Sequence, residues 1–298
     1  MKYSGIIVSF IVVFLFNGCN SVQKNASQED TFTFAFLTDI HVEYGKNADK
    51  GFQQAIDHVN SRAPEFVITG GDLVSDVLAE SEEGAKALFD LYIEKEKGFE
   101  MPVYNTMGNH EEFGIYEKSG VSRDHELYGD KMFEARLGKR FYSFDHKGWR
   151  FYILDSVEET EDRRYFGFID SVQINWLKEE LKNADQAMPM VIVSHIPFIT
   201  ALAQVRGGSM TPNTRGLVVE NSKEVLDLFE NHNLKLVLQG HLHVLEDVYT
   251  NGIHFLTGGA VSARWWKGPM GEMEEGYLLL NVKGEEFSWE YVDYGWEI

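Results

Sequence analysis

The strongest constraint on this chain is that its short apolar runs stop on polar residues able to bind metal. Residues 32–37 lead into Asp39 and His41, 66–68 into Gly71 and Asp72, and 102–104 into Gly108, Asn109 and His110. Residues 190–193 lead into His195, and 234–238 into Gly240, His241 and His243. Short buried runs of this kind read as strands. Strand ends are where open α/β sheets assemble their sites, so segments far apart in sequence can bring oxygen and imidazole donors to one point.

Between the runs lie helical patterns. Phe52, Ala55, Ile56 and Val59 repeat at helical spacing up to Pro64, and 79–97 reads as a charged helix. Residues 172–181 place Trp176, Leu177 and Leu181 on one helical face, and 222–230 form another helix. The stretch 113–139 is polar and aromatic without a clean period and reads as a surface excursion. Residues 199–219, rich in Gly, Thr and Arg, read as a loop. Residues 140–145 and 149–155 flank His146-Lys147-Gly148 as a hairpin, and Asn251-Gly252 and Lys283-Gly284 mark turns among antiparallel strands in the tail. Strand–helix alternation followed by hairpins predicts an α/β fold, with two mixed β-sheets packed as a sandwich and flanking helices.

Composition limits the partners. A 44% hydrophobic chain of 298 residues is ordinary for a globular protein. Its formal charge of −20 argues against nucleic acid as a partner. An anionic substrate then has to be attracted locally, by bound cations or a few arginines.

The N-terminus follows different rules. Met1-Lys2 precedes an apolar stretch at 6–16, shorter than the roughly 20 residues of a membrane span and suited to the core of a signal peptide. Cys19 is the only cysteine, so no intramolecular disulfide can form. Its position after Asn17-Gly18 resembles the lipobox of bacterial lipoproteins. That resemblance implies a signal peptide over 1–18, lipidation of Cys19 and a flexible tether over 19–31, with one domain over 32–298 beyond it; the alternative is an uncleaved anchor with an incidental cysteine. The expected location is outside the cytoplasm, periplasmic or at the cell surface, anchored to the membrane through Cys19. Asn25-Ala26-Ser27 matches a glycosylation sequon and is read as chance.

Taken singly, the polar motifs are ambiguous. Asp-x-His at 39–41 also suits a plain polar strand end, Gly-Asp at 71–72 suits a turn, and His195 suits a structural histidine. Gly-His-x-His at 240–243 is more specific, because it puts two imidazoles on one side of an extended segment. Together the motifs supply one carboxylate able to bridge plus oxygen and imidazole donors, the set needed by two divalent ions about 3.5–4 Å apart.

In order and residue type the five motifs resemble the calcineurin-like metallophosphoesterase superfamily over residues 32–294. The resemblance implies a first metal held by Asp39, His41, Asp72 and His243, and a second held by Asp72, Asn109, His195 and His241, with Asp72 bridging. It makes His110 the catalytic histidine that approaches the scissile phosphate. Glu111 stands where Asp is more usual. Ser75 replaces the tyrosine of purple acid phosphatases, so their charge-transfer iron site is not expected. Asp155-Ser156 and residues 173–177 are more loosely similar to the cyclic-nucleotide phosphodiesterase group. The implied function is a dinuclear hydrolase of small phosphate esters, a phosphodiesterase or phosphomonoesterase, in which a metal-bridging hydroxide attacks phosphorus and His110 assists the leaving group. The two divalent ions are expected to be Mn, Fe or Zn. The alternative on the same fold is a catalytically silent metal-binding or scaffold protein; such scaffolds have metal ligands replaced, and here every ligand type is present.

His58, His125, His146, His232 and His254 read as structural or exposed. Trp265-Trp266 is read either as core packing or as a roof that stacks on a ring of the substrate. Arg206 and Arg215 are either exposed or placed to grip a second phosphate.

Overall fold

Strand β1 (Thr31–Leu37) shows how the sequence builds the layers in the computed structural model, which describes residues 31–45 and 47–298. Side chains alternate across a strand. Phe32, Phe34 and Phe36 therefore enter the space between two sheets, while Ala35 and Leu37 turn outward to a helical layer. The expected signal peptide, Cys19 and the tether up to Asp30 lie outside the described residues.

Five strands form the first sheet, in the order β13 (Glu286–Asp293), β12 (Gly276–Lys283), β1, β2 (Phe66–Thr69) and β3 (Val103–Tyr104). Six form the second: β10 (Leu245–Thr250), β11 (Ile253–Gly258), β9 (Leu234–Gln239), β8 (Met190–Val193), β5 (Trp149–Ile153) and β4 (Tyr142–His146). Both sheets are mixed, with β1–β2–β3 parallel in one and β5–β8–β9–β11 parallel in the other. Between them Phe34 stacks on Phe66 at 5.0 Å and Phe144 on Phe151 at 4.8 Å. Each large apolar side chain buried there contributes roughly 1.5–3 kcal/mol. Helices α1 (Ala48–Arg62) and α2 (Glu82–Glu96) cover the first sheet, and α4 (Ser171–Asn183) and α6 (Ser222–Leu228) cover the second.

Local chemistry sets the helix ends. Ser81 caps α2 by accepting from the Gly84 amide, so the helix begins at Glu82 and not at 79. Asp170 caps α4 by accepting from the amides of Val172 and Gln173. Two regions expected to be irregular contain short helices, α3 (Lys131–Leu137) and α5 (Leu202–Gly207). Each is about two turns or less, too short for a helical period to show in sequence. A small hairpin of β6 (Val157–Glu159) and β7 (Tyr165–Gly167) was also not expected. The tail differs from a plain antiparallel meander. The hairpin at Asn251-Gly252 joins the second sheet through a parallel β9–β11 pair, whereas the hairpin at Lys283-Gly284 joins the first sheet beside β1. Among the described residues no helix is long and apolar enough to cross a membrane.

This topology puts the carboxyl ends of β1, β2, β3, β8 and β9 at one edge of the sandwich. The sheets are tied together there: His195 Nδ1 lies 2.8 Å from the Gly70 carbonyl, and the His241 amide donates to Asp39 Oδ2 at 2.9 Å.

Candidate metal centre

Beyond the strand ends the backbone takes up unusual angles. Asp39 (φ 56), His41 (φ 48), Asp72 (φ 52), His241 (φ 71) and His243 (φ 52) all lie in the left-handed region. For residues with a Cβ this costs roughly 1–3 kcal/mol each and persists only where the surroundings fix it. Here the loops after β1 and β2 fix it by continuing the ladder: Asp39 N donates to Gly71 O at 3.0 Å, His41 N to Asp72 O at 2.9 Å, and Val42 N to Leu73 O at 3.0 Å. The left-handed turns aim successive polar side chains at one place. Gly108 permits a close approach, since a Cβ there would overlap both the amide and the carboxylate of Asp72.

The donors fall into two groups that share Asp72. In the first, Asp39 Oδ1 is 3.3 Å from His243 Nε2, and His41 Nε2 is 3.0 Å from His243 Nε2 and 3.6 Å from Asp72 Oδ2. In the second, His195 Nε2 is 3.2 Å from Asp72 Oδ2, 3.1 Å from Asn109 Oδ1 and 3.2 Å from His241 Nδ1. Asp39, His41, Asp72, Asn109, His195 and His243 are buried, and His241 is half-buried. Asp39–His41–His243 and Asp72–His195–His241 are each compact enough to hold an ion, and so is His41–Asp72–His110.

The supporting hydrogen bonds decide what faces each centre. A carbonyl can only accept, so His195 and His243 carry their protons on Nδ1, directed to Gly70 O and Ala263 O. His241 carries its proton on Nε2, directed to Gly216 O at 2.9 Å. Each of these three rings, when neutral, then presents a lone pair to its neighbours. The carboxylates follow the same plan. Asp39 Oδ2 accepts from the Thr38 hydroxyl and the His241 amide, leaving Oδ1 buried with no hydrogen bond. Asp72 Oδ1 accepts from the His110 amide at 2.9 Å, leaving Oδ2 toward the imidazoles. Lone pairs and carboxylate oxygens 3.0–3.3 Å apart repel unless a cation or proton lies among them. This donor set fits divalent metal ions.

The acid–base properties agree. Burial opposes charge on His195, but Asp72 beside it outweighs this and lifts the ring to about 9. His243 is likewise raised, with Asp39 overcoming its burial. His41, penalised by burial and by His110, falls to about 3, and His241, penalised by burial and by His195, to about 4. Burial pushes Asp39 and Asp72 upward, but His243 holds Asp39 below its ordinary value, and His110 and His195 hold Asp72 well below. Without metal, a proton on His195 supplies positive charge beside the carboxylates, and the raised ring of His243 tends the same way.

His110 stands apart from the donors. Its Nδ1 bonds the Ser75 carbonyl, which leaves Nε2 free to face the donors, 3.8 Å from Asp72 Oδ2, on a half-buried ring. Glu111 has a role that the sequence reading did not assign. Its buried carboxylate accepts from the amides of Asp72, Leu73, Val74 and Gly108, clamping the β2 turn to the turn after β3. Burial, then Asp72, raises its carboxyl to about 7. A motif carrying one acid next to His110 was the only signal for it.

The remaining polar candidates sort cleanly. His58 meets Tyr277, His125 meets Glu82, His146 meets Glu65 and His254 meets Asp247, all away from the centre. Arg215 pairs with Glu220 and lies over Phe166, and Arg206 is exposed at the end of α5. The two tryptophans divide the roles offered to them: Trp266 is buried, while Trp265 stays partly exposed 4.5 Å from the His243 ring.

Comparison with known proteins follows the same lines. Residues 32–245 match the family described as calcineurin-like phosphoesterase. Over 246 residues, 78% of this chain and 87% of the relative, the chain is 22% identical to a Xenorhabdus bovienii protein named probable cyclic nucleotide phosphodiesterase. A dimetal phosphatase from Danio rerio superposes with a TM-score of 0.60 at 15% identity, over 89% of this chain and 99% of that one. GAP50, described as the anchor in the inner membrane complex of Plasmodium, superposes with a TM-score of 0.53 at 15% identity, over 89% and 85%. At such identities the likeness is one of fold alone.

Proposed function

This chain belongs to the calcineurin-like phosphoesterase family, and from that premise we propose that it is a dinuclear hydrolase acting on phosphodiesters. Phosphoester hydrolysis follows from the family. The dinuclear centre is supported by one observation above the rest: seven oxygen and nitrogen donors converge as two groups, with Asp72 common to both. Asp39, His41, Asp72 and His243 would hold one ion, and Asp72, Asn109, His195 and His241 the other. Divalent ions bound there supply Lewis-acid activation of water and neutralise phosphate oxygens. That local positive charge also answers the overall −20 of the chain. A diester is favoured over a monoester by the sequence relative named for cyclic nucleotides.

The chain's own residues do the rest. Ser75 O holds His110 by Nδ1, so Nε2 can deliver a proton to the leaving oxygen. Help of this kind is worth roughly 10²–10⁴-fold. His110→Ala should lose that factor in kcat while metal analysis still finds both ions; full turnover in that variant would remove His110 from the mechanism. The reading as a whole is tested on protein beginning at Ser21, with bound metals measured and diesters screened against monoesters. Failure to hydrolyse either class with added Mn, Fe or Zn would sink it.

The N-terminal residues extend the proposal to location: a signal peptide over 1–18, lipid on Cys19, a tether from Cys19 to Asp30 and export of the catalytic domain, whose first strand already begins at Thr31. The apolar run 6–16 followed by the single cysteine supports it. Cys19→Ser should move the protein from the membrane to the soluble fraction, and an unchanged distribution would count against the anchor.

A further inference from the structure

The loop that braces the first donor group also presents an aromatic face beside it. Residues 262–266 touch all three of that group's own donors. Ser262 Oγ donates to the Asp39 carbonyl at 2.8 Å, Ala263 O accepts from His243 Nδ1, and Trp266 Nε1 donates to the His41 carbonyl at 3.1 Å. Trp266 is buried, and its ring lies so close on Gly51 of α1 that a Cβ at that position would overlap it. The Trp266 amide donates back to Ser262 O at 2.8 Å, closing the loop on itself. Ala263, Trp265 and Trp266 are all left-handed, at φ 40, 51 and 62. For bulky residues that conformation is a true outlier, held only by its surroundings.

The consequence falls on Trp265. With its neighbours pinned on both sides, its indole cannot fold into the core. It stays 38% exposed, 4.5 Å from the His243 ring at 32° and 5.9 Å from the His41 ring. A lone exposed aromatic is ordinary on a protein surface. One fixed by a strained loop against two metal donors is not. Aromatic surface also borders the second group, where Tyr165 meets His241 edge-on at 5.9 Å.

We propose that Trp265 forms a binding subsite for a planar ring carried by the ester, stacked on the indole while the phosphate lies over the metals. The inference rests on the dinuclear reading given above. Stacking on an aromatic side chain adds roughly 0.5–1.5 kcal/mol beyond simple burial, and stacking of a nucleobase roughly 1–3 kcal/mol. An indole also attracts cations, but the charges here decide against a cationic head group. Two divalent ions outweigh the carboxylates of Asp39 and Asp72, so the neighbourhood is net positive when loaded. An uncharged planar ring is the class that suits it.

The test compares phenylphosphonate with methylphosphonate, by calorimetric binding to Mn-loaded protein. The two anions offer the metals the same oxygens and differ in the ring. Wild type should favour the phenyl compound by about tenfold. Trp265→Ala should bring the ratio close to one and Trp265→Phe should keep most of it, with metal content and melting temperature confirming that both variants fold and load. An unchanged ratio in Trp265→Ala overturns the subsite. So does failure of either phosphonate to bind, or tighter Trp265-dependent binding of phosphocholine than of phenylphosphonate. Ester hydrolysis separates the two ideas. A flat ratio in protein that still hydrolyses esters removes the subsite alone, whereas a Trp265-dependent ratio without any hydrolysis removes the hydrolase reading and leaves the subsite.

Discussion

The donor group of Asp39, His41 and His243 and the group of Asn109, His195 and His241 share Asp72 but rest on different parts of the fold. In the first, every donor is buried and the 262–266 loop reaches each of them. In the second, His195 is secured by Gly70 of the β2 turn, whereas His241 is half-buried and leans on Gly216. Gly216 belongs to the stretch 209–219, which has no regular helix or strand and is only partly buried. Partners behind a ligand orient it and tune its metal affinity, typically by 10–100-fold. Backbone in an irregular, partly exposed stretch is a softer support than a loop locked by a buried tryptophan. The difference teaches that, with one ion in each group as proposed, the two should be held unequally, the second more loosely. One feature runs the other way: His41 Nδ1 is buried without a hydrogen bond, a weakness in the otherwise better-braced group.

Loss of the shared carboxylate should disable both groups at once. Asp72 Oδ2 faces both groups, so Asp72→Ala should strip both ions and bring activity to background; metal analysis showing one ion at full occupancy would contradict the shared role. A smaller effect sharpens the comparison of the two groups. Under a chelator, wild type should release one equivalent quickly and a second about 10–100-fold more slowly. His241→Ala should keep only the slow equivalent and His243→Ala only the fast one. Equal release of both ions from wild type would mean that the bracing does not matter.

The smallest effect is the pH dependence. Each group pairs a low-pKa imidazole, His41 near 3 or His241 near 4, with a raised one, His243 or His195, the latter near 9. Metal needs the raised rings neutral, so at pH 7 binding displaces the proton of His195, whose ring lies near 9. The folded, metal-free pKa of His195 lies above the ordinary 6.5, so its contribution to the metal-free fold is complete below 6.5 and lost as pH rises through 9. Metal affinity should therefore climb between pH 6.5 and 9, by at most about tenfold per pH unit for each proton displaced, and then level off. Titrations in two buffers of different ionisation enthalpy measure the protons released. No release at pH 7 would show that the rings are already neutral.

Much of the architecture is legible in the sequence. The runs leading to Asp39, Asp72, His195 and His241 are short strands buried on both faces, which leave continuous apolar stretches with abrupt polar ends. Longer amphipathic helices such as α1 and α4 also show their period. Helices α3 and α5 did not, because six or seven residues cannot display one. The β6–β7 hairpin has three-residue strands and gave no signal for the same reason. The parallel β9–β11 pairing was hidden because pairing depends on neighbours across space, and the Asn251-Gly252 turn reports only the hairpin it closes.

The same division holds for the site. Sequence alone determined which residue types arrive together and in what order, because donor chemistry is a property of single side chains and strand ends are written in local apolarity. Only the tertiary structure decided what each residue does there. The choice of ring nitrogen at His195, His241 and His243 depends on carbonyls of Gly70, Gly216 and Ala263, each distant in sequence from the ring it orients. The service of Glu111 as a clamp depends on four amides gathered from two turns. Adjacent tryptophans of identical chemistry were separated into an anchor and an exposed face by what lies behind each, since burial and hydrogen bonding belong to the neighbourhood and not to the residue.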